Sequence, residues 1–526
     1  MSPAVRLTQP PAMKTTKYVS GTEIVNGQDA WKLFASSACG DLAAAQTLIA
    51  KDPRLVNAQF WYRFPLHLAV FGDHEPIVAL LLDNGADPGQ STYTYDSWDK
   101  LLLAARERGQ ESIERLLRRK MQQLLAYLPE FAALQEAIIA RDERQVDVVL
   151  QGQPELLGQS DALGNGALHW SVITRQLELI PKFVRLGAPI DARRADGHSP
   201  VQLAVAGATD YWYRATRGRS HPSLRNTSVL VGALLALGAE YTLSVAAAIG
   251  DQERVGKLLG RDPELALRPD ATGTYPLTYA AREGHLHIVQ LLLDYGAKLN
   301  QPEAAAPQGR ALYDACCGNH YEIAELLLKH GADPNAGVDS CECCLTIGTI
   351  YHGDRARQLV KLLQKHGAIL PPYRMGAKEL ATAIHSQHAV TRHEEFADCV
   401  FRTENRQLVE LYLKHLEAQR GGKRLLRELG VPDTSSPGIV RLLLDHGVDP
   451  NQSNWLGKTW LHFCAEQGNR AIAALLLAAG ADVNAHDLEF QETPLAAAIR
   501  SQRQETDTAA AKRKQQMVEF LTKSSA

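Results

Sequence analysis

YPLTYAAREGHLHIVQLLLDYGA, residues 275–297, decides the fold. A short alanine-bearing segment, LTYAA, reads as a first helix, and alanine lets a neighbouring helix approach closely. The LHIVQLLLD segment reads as a second helix with one apolar stripe. Gly296 suits the left-handed residue that ends such a helix. The closing phrase recurs as LLLDNGADP (80–88), LLLKHGADPN (326–335), LLLDHGVDPN (442–451) and LLLAAGADVN (475–484). The opening phrase recurs as LHLAV (66–70), LHFCA (461–465) and LAAAI (495–499). The helix-ending glycines are Gly85, Gly187, Gly238, Gly296, Gly331, Gly367, Gly447 and Gly480, with closest spacings of 33, 35 and 36 residues. Segments such as DALG (161–164) and DATG (270–273) are turn chemistry. Each unit therefore reads turn, helix, turn, helix. One unit cannot bury its own apolar face, so units must stack.

These residues resemble the ankyrin repeat, whose signature runs Thr-Pro-Leu-His, Ala-Ala, Gly-His, a leucine run and Gly-Ala-Asp-Val-Asn. FPLHLAV (64–70) and TWLHFCAEQGN (459–469) match it as closely as the opening stretch does. The resemblance runs over roughly residues 29–526. It implies an all-α ankyrin-repeat solenoid of about fourteen helix-turn-helix units with β-turn fingers and atypical caps. It also implies that His67, His169 and His462 join repeats by hydrogen bonds rather than act in acid–base catalysis. The family binds proteins of many kinds, so the resemblance says nothing of chemistry.

The expected organisation is a disordered lead-in over 1–28, regular repeats over 29–344, divergent helical repeats over 345–436, and C-terminal repeats with a cap over 437–526. A longer period accompanies the short one. DPRLV (52–56), QPELL (153–157) and DPELA (262–266) end similar helices, 101 and 109 residues apart. Either a three-repeat block was triplicated, or Pro-x-Leu is a common helix ending. Insertions between helices are expected at 207–228, 386–403 and 501–513, on the edge opposite the fingers.

The 526-residue chain is 45% hydrophobic with a formal charge of −3. Near-neutrality argues against a protein that coats nucleic acid through bulk charge. No run of about 18 apolar residues is present to span a membrane. The first residues lack the apolar core of a secretory signal, and a cytoplasmic protein is expected. Eight cysteines in so long a chain make no disulfide framework.

Four groups of residues are candidates for chemistry or contact. Cys316, Cys317, Cys341, Cys343 and Cys344 belong to adjacent units and could converge on a metal or act as a redox group. Against this, C-x-C-C is not the usual zinc knuckle, and Cys316 fills an alanine position where a small buried thiol fits. His385, His388, His393, Glu394 and Glu395 are weaker metal candidates within a solvated-looking insertion. The 207–228 insertion interleaves Tyr211, Trp212 and Arg214 with further arginines, a pattern that stacks on bases or holds acidic peptides. The first fingers carry Phe60, Trp61, Tyr62 and Arg63, then Tyr93, Tyr95 and Trp98, with Trp455 on a later tip. Aromatics and arginine concentrate at interface hot spots, although such rings also pack against neighbouring fingers.

No phosphate-binding glycine loop, nucleophile elbow or zinc-protease helix is found. The expectation is a non-catalytic scaffold without cofactors that presents a concave surface to a protein partner. A metal- or redox-responsive protein built on the cysteines is the first alternative. An RNA or acidic-ligand binder using 207–228 is the second.

Overall fold

The computed structural model describes residues 7–20, 23–61, 63–86, 98–206, 228–303, 306–338, 343–386, 394–419, 425–426 and 429–524. They form two compact units, Thr15–Ile369 and Met1–Lys14 with Leu370–Ala526. In the larger unit the described residues make ten pairs of antiparallel helices, an inner helix followed by an outer one. Pro276–Glu283 and Leu286–Asp294 are one such pair, at the stretch that opened the reading. The inner helix of this pair is buried along most of its length: Pro276, Leu277, Thr278, Tyr279, Ala280 and Ala281 are all buried. Outer helices bury only the stripe, here Ile288, Val289 and Leu292. An inner helix is thus sandwiched by its neighbours, whereas an outer helix keeps a wet face.

All eight glycines expected to end outer helices have positive φ, from 84° at Gly85 to 100° at Gly238. A Cβ on any of them would meet nothing within 4 Å, so backbone conformation, not space, is what requires glycine there. Four of their carbonyls are then captured by the preceding repeat. Asn57, Asn300, Asn335 and Asn451 donate from Nδ2 to the carbonyls of Gly85, Gly331, Gly367 and Gly480 at 2.9–3.2 Å. Asn300, Asn335 and Asn451 also accept the N–H two residues further on, at 2.7–3.0 Å. One asparagine side chain therefore satisfies a helix end and fixes the stacking register at once.

The three Pro-x-Leu sites are built alike. Pro53–Asn57, Pro154–Gly158 and Pro263–Leu267 are 3-10 helices that follow the outer helices Leu42–Lys51, Glu143–Gly152 and Gln252–Arg261.

Three expectations are corrected. The lead-in carries order: Tyr18–Ser20 pairs antiparallel with Glu23–Val25, and the first inner helix, Gly27–Cys39, is capped by the Asn26 side chain. The 386–403 stretch contains the helix Glu394–Arg402, whose Phe396, Val400 and Phe401 are fully buried. Phe396 and Phe401 pack on the Tyr412 ring with centroids 5.5 and 6.1 Å apart. Most of 501–513 is helical too, since Pro494–Arg503 and Thr508–Ser524 leave only residues 504–507 between them. Polar residues on the exposed face of a terminal helix mimic a loop, while Met517 and Leu521 bury its other face. The 207–227 stretch lies outside the described residues, and the helix Ser228–Ala236 follows it.

Candidate functional site: the first finger

The first finger rises between the 3-10 helix Pro53–Asn57 and the inner helix Pro65–Phe71. Its stem is a tight pair: Phe60 N–H donates to Arg63 O and Arg63 N–H to Phe60 O, both at 3.0 Å. The pair closes the finger across two positions, of which Trp61 is described. The N-terminal hairpin braces one side. Tyr18 donates from its hydroxyl to Gln59 O at 2.5 Å, and Gln59 N–H donates to Ser20 Oγ at 2.7 Å. The hairpin thus stands where a preceding repeat would supply a finger.

The aromatic residues of this finger divide sharply. Phe60 is 9% exposed and anchors the stem, whereas Trp61 is 61% exposed. Trp61 has φ +47°, a left-handed conformation that costs a bulky residue roughly 1–2 kcal/mol. Other fingers put glycine at their left-handed position: Gly164, Gly273 and Gly457. The left-handed residue is Trp61, because this finger closes in a two-residue turn. Arg63 lies instead in the stem, with its guanidinium 5.6 Å from the Phe71 ring centroid, and Arg108 covers the same ring at 4.8 Å.

Tyr62, Tyr93 and Tyr95 lie outside the described residues, as do Tyr211, Trp212 and Arg214. Trp98 begins the helix Trp98–Glu107. Trp455 is half-buried on its tip. The sequence reading missed Phe490, 41% exposed, on the following finger, with the Arg500 guanidinium 4.1 Å from its ring centroid.

Of the four described cysteines in this group, the structure brings two together. Cys316 and Cys344 are buried on consecutive inner helices, with their thiols hydrogen-bonded to each other. That bond and burial hold the Cys344 thiol well above its ordinary range. Cys344 Sγ also donates to Ala336 O at 3.1 Å. Burial likewise raises the Cys317 thiol, and Cys343 Sγ lies 3.5 Å from Thr346 Oγ1. Such thiols are poor nucleophiles and poor ligands, because both roles need the thiolate. Among the described residues, no three His, Cys, Asp or Glu side chains are placed to share a metal ion. Cys341 lies outside them, as do His388 and His393, while His385 Nδ1 donates to Ala381 O within its own exposed turn.

The histidines have a structural task. His169 Nδ1 accepts the N–H of Gly166 at 3.2 Å, and Nε2 donates to His198 O in the next finger at 3.0 Å. His462 repeats this with Thr459 N–H at 3.1 Å and Glu492 O at 3.0 Å. At His67 the inner half of the link is present, Phe64 N–H to Nδ1 at 3.1 Å. One nitrogen accepts and the other donates, so the linked imidazole is neutral. Burial drives the His169 ring down to about 3, in keeping with that state. The same link is made with other chemistry elsewhere. Gln202 accepts from Ser199 N–H at 3.2 Å and donates to Asp270 Oδ2 at 3.1 Å. Where Thr278 replaces histidine, the Glu303 carboxylate accepts from Tyr275 N–H, Thr278 Oγ1 and Arg310 N–H at 2.8–3.0 Å.

A second row, not singled out from the sequence, joins the other ends of the inner helices. His74, His285, His320 and His352 donate from Nε2 to Ala38, Ala248, Arg282 and Cys317 carbonyls at 2.7–3.1 Å. Gln110 and Gln176 do the same to Val70 O and Ile138 O at 2.9 and 2.7 Å. The signal was available: a histidine or glutamine follows five of these inner helices by two or three residues, and His352 is the last residue of the sixth.

Comparison with known families agrees with this geometry. The profile of ankyrin repeats in three copies matches residues 243–337 and 433–525, and that of the single ankyrin repeat matches 62–93. The chain is an ankyrin-repeat protein. It is similar to a putative ankyrin repeat protein of fowlpox virus, at 24% identity over 45% of this chain and 37% of that one. A mouse B-cell lymphoma 3 protein homolog is 28% identical over 33% of this chain and 37% of its own. The human ankyrin repeat and KH domain-containing protein 1 is 37% identical over 17% of this chain and 4% of its own. The chain thus spans under two fifths of the length of each of these relatives. No described helix is long and apolar enough to cross a membrane.

Proposed function

We propose that this ankyrin-repeat protein is a non-catalytic cytoplasmic scaffold whose first finger holds a protein partner, with Trp61 as the anchor. The observation that carries this reading is the exposure of Trp61 in a left-handed conformation. A residue at a strained position that leaves most of its side chain in solvent invites an explanation from outside its own fold. Tryptophan supplies a large contact area with few rotors to immobilise, and exposed large apolar side chains tend to mark interaction sites. The stem gives the anchor a fixed base, because Phe60 is packed and Tyr18 and Ser20 tie Gln59 on the adjoining chain. Tyr62 and Arg63 complete the proposed contact, and Tyr93, Tyr95 and Trp98 would extend it along the next finger. Two other readings have less support. A redox or metal role asks for thiolates where the thiols are held up. An RNA role rests on the composition of 207–228 alone.

A photo-crosslinking residue placed at position 61 tests the reading. It should trap one partner reproducibly, while the same residue at exposed Val148 on an outer helix should not. Equal trapping at both positions would count against a finger site.

A further inference from the structure

A fingertip in the smaller unit is joined to chain from outside its own repeat. This fingertip, Trp455–Leu456, is bonded by two different stretches of chain. Leu488 N–H, from the following finger, donates to Leu456 O at 3.0 Å. Thr8 N–H donates to Trp455 O at 3.4 Å, although residue 8 is far away in sequence. The leading segment to which Thr8 belongs forms one compact unit with Leu370–Ala526.

Side chains of the segment are covered as well. Met13 is 0% exposed, Pro10 is buried and Leu7 is half-buried, while Thr8, Ala12 and Lys14 face solvent. Eight residues cannot bury a methionine among themselves, so its burial is supplied by the folded body. The covered apolar residues among the described side chains are spaced three and three, and Gln9 between them is half-buried too. Proline-rich extended chain and 3-10 helix both repeat every three residues, so Leu7, Pro10 and Met13 share one side. The segment is held in that shape locally: Pro11–Met13 is a 3-10 turn, Met13 N–H donates to Pro10 O at 3.0 Å, and Gln9 Nε2 donates to Met13 O at 3.2 Å.

We infer that the Trp455 fingertip is a docking edge for a short peptide with apolar residues spaced three apart around proline, and that residues 7–14 are its resident occupant. A backbone N–H given to the fingertip carbonyl fixes the peptide's position. The Leu7–Pro10–Met13 side fixes its identity. A partner segment of the same pattern takes the edge only when the resident segment leaves it.

The test uses a labelled peptide of residues 7–14, LTQPPAMK, and fluorescence anisotropy. A chain beginning at Thr15 should bind it at least tenfold more tightly than the full chain does. The same peptide with Met13→Asp should bind the shortened chain at least tenfold more weakly. Equal binding to both chains, or none to a shortened chain with full-chain circular dichroism and melting, would overturn the inference. Should the shortened chain fail to fold, Met13→Asp in the full chain replaces it. Hydrogen exchange at residues 453–460 should then quicken at least tenfold, and unchanged exchange there would overturn the inference.

Discussion

The ring of His320 occupies the space that a methyl group on Gly284 would need: a Cβ built there would lie 2.7 Å from His320 Cε1. From that position His320 Nε2 reaches Arg282 O at 3.1 Å. Gly40 and His74, and Gly250 and His285, repeat the pairing with Cβ distances of 2.8 Å. Glycine and histidine thus form one joint between consecutive repeats, the glycine making room and the histidine making the bond.

This joint sets up a comparison between two glycines with the same φ of 84°, Gly284 and Gly296. At Gly296, alanine meets nothing and incurs only the left-handed penalty of roughly 1–2 kcal/mol. At Gly284, alanine incurs that penalty and also displaces a ring whose hydrogen bond contributes about 1 kcal/mol. Urea unfolding should rank Gly284→Ala as the more destabilising, and equal losses would mean the ring moves freely.

Two buried links should give the larger unit opposite responses to pH. The His169 ring, near 3 when folded against an ordinary 6.5, must be neutral to hold its link. The unfolded chain therefore binds more protons between those values, and stability falls as pH drops below 6.5. Burial raises the Glu303 carboxyl from 4.5 to about 7, so here the folded chain binds more protons and stability falls as pH rises from 4.5 to 7. Its three hydrogen bonds favour the ionised form, so this second effect is at most about 3 kcal/mol. His169→Gln should fold, since Gln202 makes the equivalent link, and should flatten the acid side of the stability curve. Glu303→Gln should flatten the other side. Unchanged curves in both variants would remove the links from the account.

Phe396 should behave as core. Phe→Ala at a fully buried site costs about 3–5 kcal/mol, and the loss should appear in the transition of the smaller unit. A variant that melts like the parent would return 386–403 to the status of a surface insertion.

The cysteines should behave as packing. Protein purified without added zinc should hold less than about a tenth of an equivalent, since a structural zinc site supplies far too much folding energy to be left partly filled. Iodoacetamide should label Cys39, which is exposed, well before Cys316 and Cys344. Near-stoichiometric metal would reinstate the first alternative.

The solenoid was legible because stacking imposes itself on every unit: the leucine stripe, the alanine-bearing inner helix and the left-handed glycine recur in the letters. The second row of links was less legible, because histidine and glutamine exchange within it and no single letter repeats. Glu394–Arg402 was misread because its apolar residues Phe396, Val400 and Phe401 follow a polar run without the repeat's leucine triplet. At the first finger the aromatic letters were plain. Which ring is packed and which is presented was not, because that depends on a turn one residue shorter than its counterparts. The place of residues 7–14 was invisible, since a short proline-bearing segment outside the repeat reads as disorder until the cover over Leu7, Pro10 and Met13 is seen.

Trp61→Gly tests the central claim most directly. Glycine removes the ring and also the left-handed strain, so the two roles of Trp61 give opposite signs. With the crosslinked partner in hand, both the melting temperature and the affinity should be measured on the same variant. The account predicts melting unchanged or slightly raised, with affinity down by about 2 kcal/mol or more, which is about thirtyfold in Kd. A variant that melts several degrees lower while its folded fraction binds the partner normally would contradict it.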